Sequence, residues 1–197
     1  MNPAHEEKIQ IDNESSIHCL SHIQYNKKGF SISPHYHNYI EIIYDIEGEN
    51  EVCLNDSHYT FKTGDLVLIN SGYVHSFLCD DGCYMVLRFD PDLLYSSSQS
   101  TIELKYILPF ILNSFEHQVV FTKSELENAN ICHLLFEIYE EYKKQKYGWE
   151  LSIRAKINEI FLWFLRHWHN QNINIELRLS SYEHSAKWLH KVFSYVS

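Results

Sequence analysis

The pattern of apolar and polar residues divides the chain into two halves that meet near residue 95. In the first half, short runs of β-branched and aromatic residues are separated by turn pairs such as Asn55-Asp56 and Asp81-Gly82, a pattern typical of strands. Strands this closely spaced, with no helix between them, predict an antiparallel sandwich or barrel. The predicted strands span residues 17–23, 39–46, 50–54, 58–62, 66–69, 76–79 and 83–89.

Beyond residues 96–100 the hydrophobic period becomes helical, and it predicts a first short helix at residues 102–113. Thr122 lies three residues before Glu125, the spacing of a capping box, which predicts a helix from there to about residue 146. Gly148 then breaks the chain before a second long helix at residues 149–169. Because their connection is short, the two long helices should form an antiparallel pair.

The second long helix carries apolar residues around most of its circumference. One face can cover the barrel or the neighbouring helix, and we expect another face to form a homodimer through the 149–169 helix. The alternative is that the barrel and the first long helix bury the whole stripe. Residues 170–181 read as a polar linker, and residues 186–196 are amphipathic. That last stretch predicts that the natural protein continues, unless it is a terminal helix that docks back on the domain.

Composition and charge exclude several classes of protein. With 45% hydrophobic and 15% aromatic residues, the 197-residue chain can build a packed core and is not a disordered sequence. The net charge of −10 belongs entirely to residues 1–100, which argues against nucleic acid as the partner of that half. Residues 101–197 hold 11 basic and 11 acidic side chains and are neutral.

The cellular location is predicted from three further features of the sequence. The first ten residues have no apolar run typical of a secretory leader, and no run is long enough to span a bilayer. Five cysteines without a Cys-x-x-Cys pair indicate free thiols in a reducing compartment, although Cys79 and Cys83 could meet across a turn as a redox pair. We therefore expect a cytoplasmic protein with no membrane partner.

Candidate chemistry is concentrated in residues 35–75. His35, His37 and Glu41 are all odd-numbered on one predicted extended segment, so their side chains should point to the same side. If the strand that ends near His75 is a neighbour, that imidazole can join them. Three imidazoles and one carboxylate suit Fe, Mn, Ni, Zn or Cu. The alternative is that they are polar residues of the barrel interior that contact an effector directly.

Other side chains could shape a ligand pocket. Arg88 is the only arginine among the first hundred residues, and its planar guanidinium could hold a carboxylate or phosphate of an effector. An ion pair with Glu41, Asp90 or Asp92 is the alternative. Aromatic residues that could line the barrel, with core packing as the alternative for each, are Tyr39, Phe61, Tyr73, Phe77 and Tyr84.

The stretch from Gly29 to Gly48 resembles the first cupin motif: Gly, five residues, His-x-His, three residues, Glu, six residues, Gly. The stretch from Gly64 to His75 resembles the second motif, with Asn70 where Pro is usual and Cys79 where Asn is usual. The resemblance implies a mainly β fold with added α-structure, built on a cupin-like jelly-roll barrel. It also implies the metal ligands His35, His37, Glu41 and His75.

The wider layout resembles the sensor half of AraC-family transcription regulators: a barrel, the segment Arg88–Leu94, a pair of long helices and a linker. The resemblance implies an N-terminal arm at residues 1–14, an effector-binding barrel at 15–95 and a helical dimerisation segment at 100–170. Residues 171–197 would then be a linker and the lead-in to a helix-turn-helix domain that is missing from this chain. DNA would be bound only through that domain.

The sequence thus predicts the ligand-sensing and dimerisation domain of an AraC-like DNA-binding regulator rather than an enzyme. A divalent metal (Zn, Ni, Fe or Mn) is left open as a cofactor. The alternative function is a small cupin metalloenzyme, a dioxygenase or isomerase, that uses the three-His, one-Glu site. The predicted effector-binding residues are His35, His37, Tyr39, Glu41, Phe61, Tyr73, His75, Phe77 and Arg88.

Overall fold

The computed structural model describes residues 4–7, 17–94, 106–107, 109–111 and 118–171. The strands among them are β1 (His5–Glu6), β2 (Cys19–Asn26), β3 (Phe30–Tyr36), β4 (Ile40–Leu54), β5 (Ser57–Lys62), β6 (Leu66–Ile69), β7 (His75–Phe89) and β8 (Val120–Phe121). The helices are α1 (Lys123–Leu126), α2 (Ile131–Lys144) and α3 (Trp149–Asn170), with a 3-10 turn at Pro91–Leu94. Residues 106, 107 and 109–111 are also helical.

Two 15-residue strands, β4 and β7, pair antiparallel along nearly their whole length and organise the sheet. The first half of β7 also pairs with β3, and its second half pairs with β2. The first half of β4 also pairs with β6, and its second half pairs with β5. These shared strands join two halves of the sheet around one interior, which confirms the predicted β-barrel followed by an antiparallel pair of long helices.

The sequence divided β4 and β7 into four shorter strands, and that prediction is wrong. Each strand is continuous and bends at an irregularity where Gly48 lies directly opposite Gly82. Both glycines have positive φ, and a Cβ atom on Gly82 would collide with the backbone carbonyl of Glu47. Glycine is therefore required at this crossing, and the predicted Asp81-Gly82 turn is a bend within β7.

The half of the sheet that carries the second part of β7 is buried on both faces. Ile40 and Ile42 of β4 face the helices, whereas Glu41 and Ile43 between them face the barrel interior. The same alternation gives two apolar clusters, one between the sheet and the helices and one inside the barrel. All four residues of β6 are buried for this reason, which explains their uninterrupted apolar sequence.

The helices cover one face of this half-sheet, and α3 begins directly after Gly148 as predicted. The capping box at Thr122 is present, but α1 ends at Leu126 and a separate helix begins at Ile131. The prediction of one helix from Thr122 to about residue 146 is therefore wrong. Residues five apart on a continuous helix point about 140° away from each other, and the break allows Leu126 and Ile131 both to be buried.

Several predicted segments fall where the structure gives no description. Residues 96–100, the 186–196 stretch, nearly all of the 170–181 linker, most of the N-terminal arm and parts of the 102–113 helix lie outside the described residues. Within the predicted helical segment, β8 pairs with β6 and extends the sheet. None of the helices in the described ranges is long and apolar enough to cross a membrane.

Candidate functional site

The candidate site is assembled at one end of the barrel interior, where β3, β4 and β7 meet. His35 of β3 lies opposite His75 of β7, and Glu41 of β4 lies opposite Arg88 of β7. His37 lies in the connection between β3 and β4. The prediction of a single extended segment from His35 to Glu41 is wrong, because the chain bends after β3 and pairs with a different part of β7. The structure nevertheless brings all five side chains together.

The three histidines form a compact buried cluster. His35, His37 and His75 are 2–3% exposed, and one ring nitrogen of each lies within 4.8 Å of the corresponding nitrogens of the other two. The ring centroids of His35 and His75 are 4.1 Å apart, and those of His37 and His75 are 4.9 Å apart. Imidazole nitrogens at these separations can coordinate one divalent ion together.

Backbone carbonyl groups set the orientation and tautomer of each ring. The Nδ1 atoms of His35, His37 and His75 lie 2.9, 3.1 and 2.9 Å from the carbonyl oxygens of Ser33, Tyr39 and Tyr73, respectively. A carbonyl oxygen only accepts hydrogen bonds, so each Nδ1 carries a proton and donates it. In a neutral ring, Nε2 then has a lone pair that can bind a metal, whereas a ring that donates from Nε2 to Glu41 carries a second proton.

The cluster contains polar atoms that lack the partners they need. The buried Nε2 atoms of His35 and His75 have no hydrogen-bond partner among the described residues, although carboxylate oxygens approach both to 3.3 Å. Histidines that ligate metals usually donate Nδ1–H to a carbonyl or carboxylate and present Nε2 to the ion, as these three do. The side chains therefore fit a divalent metal as a cofactor.

Glu41 joins this cluster to Arg88. Its Oε2 atom lies 2.9 Å from Nε2 of His37 and 3.3 Å from Nε2 of His75, while its Oε1 atom lies 3.0 Å from Nε of Arg88. Burial raises the pKa of Glu41, but Arg88 and the two imidazoles outweigh it and hold that pKa well below the usual value. Of the ion pairs considered for Arg88, the one with Glu41 is confirmed. Glu41, the fourth residue of the predicted metal ligand set, lies outside the group of three histidines whose ligand atoms are all within 4.8 Å of one another.

A cavity of about 210 Å³ adjoins this charged cluster. Five of the predicted effector-binding residues line it: His35, Glu41, His75, Phe77 and Arg88. Tyr84, one of the candidate aromatic residues, lines it as well.

The other four predicted effector-binding residues lie elsewhere in the described structure. His37 belongs to the histidine cluster, and Tyr39 is half-buried beside it with ring centroids 6.2 Å apart. Phe61 and Tyr73 are buried in the apolar cluster inside the barrel, where core packing was the alternative interpretation.

Sequence reasoning missed several residues of the cavity wall. His22 and Gln24 of β2 line it, and Glu7 closes one side. The two β2 residues alternate in sequence, and their register opposite Val86 and Tyr84 places them on the interior face, so period-two alternation was a usable signal. No sequence signal identifies Glu7, because a tertiary pairing positions its segment. The apolar part of the wall is formed by Phe30, Ile32, Ile43, Val52, Phe77, Tyr84 and Val86.

Asn70, which departs from the cupin pattern, has a structural role that Pro could not fill. Its side-chain amide is buried and donates a hydrogen bond of 2.9 Å to the carbonyl oxygen of Pro109. Two residues further on, the backbone N–H of Gly72 donates to the carbonyl oxygen of His37 at 2.8 Å. The loop after β6 is therefore bonded both to the histidine cluster and to the helical residues 109–111.

Those helical residues contact α3 directly. The ring of Phe110 lies 4.2 Å from the ring of Phe161 and 5.0 Å from that of Trp168, centroid to centroid. Phe110 is fully buried in this contact. A continuous packed path therefore leads from the rim of the site to the last turns of α3.

Comparison with protein families gives one match. The family model described as the AraC-like ligand binding domain matches residues 19–161, from the start of β2 into α3. No curated protein matches the chain.

Solved structures with a similar arrangement include three bacterial proteins. An RmlC-like cupin from Shewanella frigidimarina is 19% identical, with 36% of this chain matched to 66% of that one at a TM-score of 0.35. KdgF from a Halomonas species is 19% identical over 38% of this chain and 70% of its own, at a TM-score of 0.36. A predicted oxalate decarboxylase from Thermotoga maritima is 26% identical over 36% and 64%, at a TM-score of 0.33.

Proposed function

Because this chain belongs to the AraC-like ligand-binding domain family, we propose that it senses a small molecule for a DNA-binding transcriptional regulator. The effector binds inside the barrel, in the cavity beside the histidine cluster. DNA is bound by a separate helix-turn-helix domain of the full protein, outside the residues of this chain.

The observation that carries this proposal is the placement of the cavity and the helices on opposite faces of the same strands. Arg88 of β7 lines the cavity, while its neighbours Leu87 and Phe89 pack against the helical layer. The ring of Phe89 lies 5.4 Å from that of Phe161 in α3. A ligand that moves Arg88 therefore acts one residue away from a contact with α3. Such a ligand shifts the equilibrium only if it binds the two arrangements with different affinity.

The proposal includes a homodimer through α3. A single chain already buries six apolar side chains of this helix, which account for most of its apolar stripe: Ile153, Ile157, Ile160, Phe161, Phe164 and Trp168. A second stripe remains at heptad spacing and includes Leu151, Ala155 and Leu162. Leu151 is 74% exposed and Leu162 is 44% exposed. Apolar residues at this spacing are typical of a helix that packs against a second helix.

Substitution of the exposed stripe tests the dimer. We expect the wild-type protein to sediment as a dimer at tens of micromolar and the variant L151E/L162E to sediment as a monomer with an unchanged circular dichroism spectrum. The matched control is Leu78→Glu, because Leu78 is 46% exposed on β7 and lies away from α3. A wild-type monomer, or a dimer that survives the double substitution, would contradict the proposal.

Effector binding is tested by thermal shift and isothermal titration against a library of small molecules. We expect a hit that stabilises the wild-type protein and loses its affinity in Val86→Phe, whose larger side chain occupies the cavity. Leu78→Phe, an exposed substitution on the same strand, should bind the hit as the wild type does. A hit that binds Val86→Phe equally well does not use this cavity, and it would count against the proposal.

A small cupin metalloenzyme is the second candidate, and the three Nε2 atoms of the histidine cluster favour it. A divalent metal held there would supply Lewis-acid or redox chemistry beside the cavity. Metal analysis after purification should find the metal lost in His75→Gln and retained in His58→Gln, which changes an exposed histidine. Stoichiometric iron with oxygen uptake in the presence of a small organic substrate would favour the enzyme over the sensor.

A further inference from the structure

Glu7 places a carboxylate of the protein itself at the charged end of the cavity. Its Oε2 atom lies 3.2 Å from Nη1 of Arg88 and 3.3 Å from Nε2 of His35. This oxygen is buried, although the side chain as a whole is 36% exposed. The wall of the cavity therefore already holds a carboxylate oxygen against a guanidinium and an imidazole.

This carboxylate is additional to the one that the barrel provides. Arg88 uses Nε for Glu41, which lies opposite it in the β4–β7 ladder, and Nη1 for Glu7. Glu41 is buried on a central strand, whereas Glu7 follows a strand of two residues. The Nε side of the guanidinium is thus paired with Glu41 of a central strand, and the Nη1 side is paired with Glu7 of the N-terminal segment.

The segment that carries Glu7 is attached by few contacts. The strand β1 consists of His5 and Glu6, both exposed, and among the described strands it pairs only with the end of β3. The backbone N–H of Glu7 itself donates to the carbonyl oxygen of Tyr36 at 2.9 Å. Displacement of the Glu7 side chain therefore leaves the two long strands and the helical layer in place.

The opposite end of the cavity is apolar and small. Ile32, Val52 and Phe77 lie on its wall, together with Val86. The cavity's volume of about 210 Å³ lies below the roughly 300–1,000 Å³ of drug-sized pockets. Its volume and its lining suit a small ligand that has a compact apolar group and one charged end.

We propose that the ligand of this cavity is a small monocarboxylate with a compact apolar group, whose carboxylate replaces that of Glu7 on Arg88 and His35. The inference rests on the proposed sensing function and names the ligand class of the same cavity. The exchange replaces one carboxylate with another, so the charge beside Arg88 is unchanged. It also releases β1 from the charged end of the barrel.

Calorimetric titration with benzoate and 2-methylpropanoate, compared with benzamide and 2-methylpropanamide, tests the ligand class. We expect the wild-type protein to bind at least one of the two carboxylates and neither amide. In Glu7→Gln the affinity for that carboxylate should rise at least about tenfold, because the internal competitor is removed. The matched control is Glu6→Gln, which removes an exposed carboxylate from the neighbouring position and should change the affinity less than about twofold.

Hydrogen exchange of backbone amide groups measures the displacement of the Glu7 segment directly. Carboxylate binding should accelerate exchange of the Glu7 backbone N–H in the wild-type protein, while amide groups of β4 and β7 stay protected. An affinity that is equal in wild type and Glu7→Gln would overturn the displacement.

Failure of this inference is distinguishable from failure of the sensing function. If neither protein binds a carboxylate at millimolar concentration while a neutral library compound binds the wild type and is lost in Val86→Phe, the ligand class is wrong and sensing is retained. If no compound of either kind binds in the cavity, both are wrong.

Discussion

Two buried carboxyl groups on the interior face of β4, Glu41 and Asp45, have pKa values that are shifted in opposite directions. They lie four residues apart and are 2% and 0% exposed. Arg88 and two imidazoles hold the pKa of Glu41 well below its usual value, although burial acts against them. Burial raises the pKa of Asp45 to about 6, and the groups that oppose it are only neutral donors: the side-chain amide of Asn50, 2.7 Å from Oδ2, and the backbone N–H of Glu47.

Burial alone does not determine the charge of a carboxyl group in this barrel. Desolvation opposes ionisation at both positions, and the residue across the β4–β7 ladder decides the outcome. Arg88 lies opposite Glu41, whereas Tyr84 lies opposite Asp45. The charged end of the interior is the end that holds the cavity and the histidines.

The two groups also make opposite contributions to stability as the pH changes. The folded-state pKa of Glu41 is lowered, so its contribution is present above the unfolded pKa and is lost as the pH falls through the folded value. The folded-state pKa of Asp45 is raised, so its contribution is present below the ordinary value of 3.8 and is lost as the pH rises through about 6.

The largest expected effect comes from Arg88→Met, which removes the cation opposite Glu41. An uncompensated buried charge should lower the free energy of unfolding by about 4 kcal/mol at pH 7, and the pKa of Glu41 should rise toward that of Asp45. Urea denaturation measures the first effect, and carboxyl-carbon NMR titration measures the second.

Two further variants separate charge from side-chain volume in that experiment. The double variant E41L/R88M should recover most of the lost stability, because neither partner is left charged without the other. The matched control is Arg154→Met, whose guanidinium donates from Nε to the carbonyl of Leu93 outside the barrel interior, and it should cost only about 1 kcal/mol. A double variant less stable than Arg88→Met would contradict this account.

Asp45→Asn should remove the contribution that Asp45 makes to the pH dependence of stability. Relative to the variant, the wild-type protein should lose about 2 kcal/mol of stability between pH 4 and pH 7, because each pKa unit corresponds to about 1.4 kcal/mol and this range covers most of the shift from 3.8 to about 6. Urea denaturation across this range measures the difference. Asp56→Asn, in the exposed turn after β4, is the control and should keep the wild-type slope. Equal slopes for wild type and Asp45→Asn would refute the prediction.

The smallest effect is expected for Asn50→Ala, which removes the side-chain amide that donates to Asp45. Loss of this hydrogen bond should cost about 1 kcal/mol at pH 7 and raise the pKa of Asp45 above about 6. NMR titration of the Asp45 carboxyl group checks the direction. Asn158→Ala removes an exposed amide on α3 and should leave that pKa unchanged; a lower pKa in Asn50→Ala would contradict the assignment.

Much of the fold could be predicted from the sequence because its signals are local. The short apolar run of β6, the break at Gly148 and the apolar period of α3 correctly indicate a barrel followed by two long helices. The spacing of the histidines indicated a cluster even though their strand assignment was wrong. The bends in β4 and β7 were missed, because a bend within a strand and a turn between strands have the same glycine signal.

The part of the site that could not be predicted depends on pairings between distant segments. Glu7 reaches Arg88 only because β1 pairs with the end of β3, and nothing within the first ten residues indicates that contact. Asn70 looked like a departure from a motif, and its role appears only when the carbonyl of Pro109 is placed beside it. Such contacts join residues far apart in sequence, which local patterns do not describe.

The sequence by itself determined that Glu41 and Asp45 share one face of one strand, because period-two alternation follows from the geometry of any β-strand. It also determined which residues around them are apolar. Only the tertiary structure decided that one carboxyl group is held ionised and the other has a pKa near 6. That difference depends on the register of β7 against β4, which closure of the barrel and the Gly48–Gly82 crossing set.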